Sequence, residues 1–157
     1  MVASRLGHTE IMNELYMFKK NNALKMDLIN SKSMHQTPLI IASHAKQLKT
    51  VEYLLSRDGI LVNDRVHDGW NALMVACEVG STSIVSALMK HPKIEVRIMR
   101  NNGYSALHQA CLGGHNEIVQ LLLPAMTTSF INLEGKDNQT PLSLAVWNNH
   151  SDVVNVR

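Results

Sequence analysis

The chain has 157 residues and a net charge of +2, from 15 basic and 13 acidic side chains. That balance is too weak and too mixed to argue for a nucleic acid or an anionic membrane as partner. Hydrophobic residues reach 45% but aromatics only 4%, which predicts a folded chain with an aliphatic core. Near the N-terminus, Ala3 and Gly7 end a short helix, and Ile11 and Leu15 begin a second one. Phe18 to Leu28 reads as a lengthened helix and loop before the β-like triplet Leu28-Ile29-Asn30.

A cassette then recurs four times: Thr37-Pro38-Leu39-Ile40-Ile41-Ala42, Asn71-Ala72-Leu73-Met74-Val75-Ala76, Ser105-Ala106-Leu107-His108-Gln109-Ala110 and Thr140-Pro141-Leu142-Ser143-Leu144-Ala145. Its leucines are 34, 34 and 35 residues apart, a period that predicts a stacked array rather than one globular core. Thr37, Asn71, Ser105 and Thr140 each supply a side-chain oxygen that caps a helix start. Pro38 and Pro141 suit the first helical position, where a missing N–H costs nothing.

Four residues after the cassette alanine stand Lys46, Gly80, Gly114 and Asn149. Glycine and asparagine tolerate the left-handed backbone that stops a helix, and Lys46 is the weaker fit. A second helix follows each stop. Its apolar spacing is Val51, Leu54, Leu55, then Ile84, Val85, Leu88, then Ile118, Val119, Leu122. The triplets Leu61-Val62-Asn63, Glu95-Val96-Arg97 and Phe130-Ile131-Asn132 read as β-like, each leading through a polar turn to the next cassette.

This pattern resembles the ankyrin repeat family, whose signature runs Gly-x-Thr-Pro-Leu-His-x-Ala, Gly-His, Val-x-x-Leu-Leu. The fullest match is Gly103-Tyr104-Ser105-Ala106-Leu107-His108-Gln109-Ala110, Gly114-His115, Val119-Gln120-Leu121-Leu122. The resemblance implies an all-α repeat solenoid of helix-turn-helix units joined by β-hairpin-like loops, filling residues 1–157 as one domain. Its units would be a partial first repeat at 1–30, then 31–63, 64–97, 98–132 and a truncated fifth at 133–157. Neither end carries the polar cap usual for terminal repeats. The chain therefore reads as a piece of a longer array, or else a short array with irregular ends, and end-to-end self-association is expected of such faces.

No Gly-rich phosphate loop, His-Glu-x-x-His or Cys-x-x-Cys occurs, so no catalytic residue, cofactor or metal site is expected. Of eight histidines, His8, His115 and His150 hold the family's Gly-His position and His108 its Leu-His position. The resemblance implies that these four bond backbone or neighbouring repeats. His35, His44, His67 and His91 are scattered. Cys77 and Cys111, at the same repeat position, are expected to be buried free thiols of an intracellular, cytoplasmic protein. No segment has the roughly 18 apolar residues of a membrane span.

The resemblance also implies a protein partner, bound by hairpin tips and the exposed side of the first helices. The variable positions there are His67, Asp68, Trp70 and Glu78, then Asn101, Asn102, Tyr104 and Leu112, then Lys136, Asp137, Gln139 and Trp147. Trp70 and Tyr104 share one register, so an exposed aromatic ladder is expected, since such rings anchor interfaces. The alternative is that each ring lies flat on its own hairpin. The functional expectation is a non-catalytic interaction module. Its alternatives are a regulatory or inhibitory subunit of an enzyme or transcription factor, and a targeting segment of a larger protein.

Overall fold

The computed structural model describes residues 30–32 and 36–155. Most of the first repeat, including His8 and the Phe18–Leu28 insertion, lies outside them, as does His35. Among the described residues there are nine α-helices and no strand. Four short first helices are α1 (Pro38–His44), α3 (Ala72–Glu78), α5 (Ala106–Leu112) and α8 (Pro141–Trp147). Their partners are α2 (Leu48–Leu55), α4 (Thr82–Met89), α6 (Asn116–Leu122) and α9 (Ser151–Val154). A single turn of helix, α7 (Thr128–Ile131), lies in the connection after α6.

Each first helix starts where its cap puts it. Backbone N–H groups of Ile40, Met74 and Ser143 donate to Thr37 Oγ1, Asn71 Oδ1 and Thr140 Oγ1 at 3.3, 2.9 and 3.1 Å. Each stops at a left-handed residue: Lys46, Gly80, Gly114 and Asn149 have φ of 55°, 70°, 70° and 59°. The weaker fit, Lys46, thus adopts the same backbone as the glycines.

First helices pack on first helices in the order α1, α3, α5, α8, and second helices follow in the order α2, α4, α6, α9. The core runs between the layers. Leu39, Leu73 and Leu107 bury their cassette leucines; Val51, Ile84, Val85, Ile118, Val119 and Leu122 close it from the second helices. Each repeat alone has too little apolar face to bury, so stability comes from stacking.

One expectation changes. Leu28 and Ile29 of the first triplet lie outside the described residues, and the other three triplets form no strand: Val62-Asn63 and Val96-Arg97 are turns, and Phe130-Ile131 belongs to α7. A bridge of β type pairs Met99 with Ser105 across a hairpin. The physical reason lies in Asn63, whose side chain takes the hydrogen bonds of the next loop (Glu95 N–H at 2.9 Å, Lys93 carbonyl at 2.7 Å). Asn30 does the same one unit earlier, to Leu61 N–H and the Gly59 carbonyl, both 2.8 Å. These asparagines tie loop to loop rather than closing their own turn.

Comparison along the register exposes a misfit in the core at the start of α2. Thr50 stands where later pairs carry Ile84, Ile118 and Val153; it is fully buried, and its hydroxyl has no hydrogen-bond partner. Thr50→Val keeps the shape and removes the unsatisfied group. It is expected to raise stability by about 1 kcal/mol, read as a higher urea midpoint at unchanged slope.

Candidate functional site

The hairpins preceding α3, α5 and α8 carry most of the sequence-predicted positions. Their tips are exposed: His67 and Asp68, Asn101, and Lys136 and Asp137 all face solvent. Asp68 and Asp137 sit at φ of 61° and 57°, a left-handed turn that a short polar side chain tolerates. His67 Nδ1 lies 3.1 Å from the Asp68 carboxylate.

Neighbouring hairpins are tied to one another. Lys32 Nζ donates to Asp64 Oδ1 and to the Arg65 carbonyl at 3.0 and 3.1 Å. Arg65 Nη2 donates to Asn101 Oδ1 at 3.2 Å, and the Asn101 N–H donates to the Asp68 carbonyl at 3.0 Å. The tips therefore form one braced edge rather than independent fingers.

Trp70 and Tyr104 do not form the exposed ladder that the sequence suggests. Both are half-buried. The Arg100 guanidinium carbon sits 4.0 Å from the centre of the Trp70 ring, a cation–π contact from the next hairpin. Tyr104 stacks on His108 with centroids 5.0 Å apart and planes 12° apart. Its other neighbour is Gly135, where an added Cβ would run into the Tyr104 ring. Arg100 and Gly135 occupy matching places, since their N–H groups pair with the Tyr104 and Gln139 carbonyls at 2.8 and 2.9 Å. Each ring is thus clamped between its own unit and the next, a role between the two expected ones.

Asn102 and Gln139 are also half-buried and engaged locally. Asn102 Oδ1 accepts the Tyr104 N–H at 3.1 Å, and Gln139 Oε1 accepts the Ser143 hydroxyl at 3.1 Å. The remaining predicted positions, Glu78, Leu112 and Trp147, are exposed and share one register, the last residue of α3, α5 and α8. His44, the last residue of α1, begins this row and is exposed too. Trp147 is 86% exposed, against 38% for Leu112. The row is exposed because it lies opposite the core-facing cassette residues on a helix of 3.6 residues per turn.

The histidines act as rivets between units. His115 Nε2 bonds the Glu78 carbonyl at 3.2 Å, and His150 Nε2 bonds the Leu112 carbonyl at 3.0 Å. His108 is fully buried: its Nδ1 accepts the Ser105 N–H at 3.1 Å and its Nε2 reaches the Gln139 carbonyl at 3.2 Å. Burial lowers the His108 pKa below the ordinary histidine value, against the pull of its carbonyl partners.

Cys77 and Cys111 are free and buried. Burial pushes the Cys111 thiol up to about 12, and burial plus the adjacent Cys111 raises Cys77 further. Thiols held protonated in this way are poor nucleophiles and poor metal ligands. Among the described residues no helix is long and apolar enough to cross a membrane.

Among curated proteins, none matches the chain. The family model for ankyrin repeats matches it in three copies, over residues 1–100, 58–133 and 93–156. Those spans cover nearly the whole sequence and agree with the stacked helix pairs, the capped cassettes and the histidine rivets. The chain belongs to the ankyrin repeat family.

Proposed function

We propose that the chain is a non-catalytic protein-interaction module whose partner lies along the row His44, Glu78, Leu112 and Trp147 and the hairpin tips beside it. Ankyrin repeats are generally protein-binding modules. The observation that carries the reading is Trp147, a large ring left 86% exposed at the end of a row that is open in every first helix. Tryptophan is enriched among the residues that dominate interface energetics.

In this reading the tip residues His67, Asp68, Asn101, Lys136 and Asp137 supply the polar rim. Trp70, Asn102, Tyr104 and Gln139 hold the hairpins at fixed spacing. The units run 31–63, 64–97, 98–132 and 133–157, with 1–30 as the first. The buried free thiols support an intracellular, cytoplasmic setting.

The test is affinity capture from the protein's own cells with the wild type and a Leu112→Asp/Trp147→Ala variant. Both positions are exposed, so the variant is expected to melt like the wild type. A partner kept by the wild type and lost tenfold or more by the variant supports the face, since an aromatic hot spot is worth about 2 kcal/mol or more. Equal capture by both defeats it.

A further inference from the structure

Two aspartates of the chain precede a glycine, in Asp58-Gly59 and Asp68-Gly69. Such a pair can rearrange without help. The glycine nitrogen attacks Cγ of the protonated side-chain carboxyl; the N–Cγ bond forms, and the hydroxyl leaves as water with the amide proton. Water then reopens the five-membered imide. Opening at Cγ restores aspartate. Opening at the main-chain carbonyl leaves isoaspartate, whose backbone runs through the side chain and is one methylene longer. No oxidant or cofactor enters, and glycine puts no Cβ in the path of the ring.

The dipeptide is the same in both places, so the fold decides between them. Gly69 is buried in the hairpin before α3, and its N–H donates to the Val66 carbonyl at 2.9 Å. A Cβ there would meet Arg65, Arg100 and Asn101, so the nitrogen has little room to swing. Asn102-Gly103, which closes the same ring with loss of ammonia, is held likewise by the Gly103 N–H on the Arg100 carbonyl at 3.0 Å. Asp58 and Gly59 are both exposed in the loop after α2. A Cβ on Gly59 would meet nothing within 4 Å, and among the described residues no protein group accepts the Gly59 N–H. We propose that Asp58 is a modification site of the folded protein, isomerising to isoaspartate through an imide with Gly59, while the fold protects Asp68.

The loop ties two units together. Asn30 bonds the Gly59 carbonyl and the Leu61 N–H, and Ile60 between them is buried. An extra methylene between Asp58 and Gly59 displaces those groups, so isomerisation releases the tie and weakens the array.

Warm storage of the intact chain at neutral pH, sampled over weeks, tests this. Electron-transfer fragmentation of its peptides places each isoaspartate in the sequence. In denaturing guanidinium chloride the two sites are expected to isomerise at similar rates. In the folded chain Asp58 is expected to outpace Asp68 by about fivefold or more, the factor set by one hydrogen bond that must break first. The stored wild type is expected to show a lowered urea midpoint. Asp58→Glu, a surface change that cannot close the five-membered ring, is expected to keep its midpoint through storage. Equal rates at the two sites in the fold, Asp68 ahead of Asp58, or a stored Asp58→Glu that weakens as much as the wild type would each overturn the proposal.

Discussion

Replacing His108 by alanine is expected to destabilise the array by about 3 kcal/mol and to remove part of its acid sensitivity. The ring is fully buried in the first turn of α5 and links two units. The Ser105 backbone N–H can only donate, so Nδ1 is the bare nitrogen and accepts at 3.1 Å. Nε2 then carries the proton and donates to the Gln139 carbonyl at 3.2 Å. Alanine leaves that N–H unpartnered in the interior, takes one of two donors from that carbonyl (which keeps the Gly135 N–H), removes the surface on which Tyr104 stacks, and opens a cavity. Each lost buried partner costs about 1–3 kcal/mol.

The pH dependence follows from the same geometry. Protonating Nδ1 would point a second N–H at the Ser105 N–H, and burial also disfavours the charge. The folded-state pKa therefore lies below the unfolded value of about 6.5. Between the two values the unfolded chain binds more protons, so stability rises with pH. The His108 contribution is complete above the unfolded pKa and is lost as pH falls through about 6.5 towards the folded value. Urea titrations at steps from pH 8 to pH 5 read it as the wild-type slope minus the His108→Ala slope. Parallel slopes would show that His108 takes up its proton in the fold without penalty.

Much of the architecture was legible in the chain because it is written in local chemistry. A capping oxygen at Thr37, Asn71, Ser105 or Thr140 fixes where each first helix begins, and the 34-residue period repeats the answer. The second helices follow from apolar spacing, for the same local reason. What single-unit reading missed lies between units. Nothing in the repeats of Trp70 and Tyr104 themselves says that Arg100 and the Gly135 backbone will lie over them. One signal was present: Gly135 is the position in the Arg100 register with no side chain, and it faces the ring of Tyr104. The loop triplets fail similarly, since Asn63 spends its side chain on the following loop instead of leaving a strand edge.

Gly80→Asn is expected to cost about 3 kcal/mol in the wild type and less than about 1 kcal/mol in a His115→Ser background. The helix stops share one left-handed backbone but not one residue: Lys46, Gly80, Gly114 and Asn149. Backbone strain alone does not explain the choice, because lysine and asparagine hold it at φ of 55° and 59°. The next unit does. A Cβ on Gly80 would run into the His115 ring, and one on Gly114 into the His150 ring. One unit on from Lys46 the matching residue is Ser81, which carries no ring. Glycine is thus needed where a histidine of the next pair lies across the stop. Asparagine tolerates the left-handed region, so Gly80→Asn isolates the collision from the strain. Its side chain must displace His115 and break the bond to the Glu78 carbonyl, which loosens the junction of α3 with α5. Shortening His115 to serine reproduces the Lys46–Ser81 pairing, so the two changes should be strongly non-additive. Urea denaturation of the two single variants and the double variant gives the coupling energy. A coupling near zero would mean that backbone conformation, and not the histidine, requires glycine at this stop.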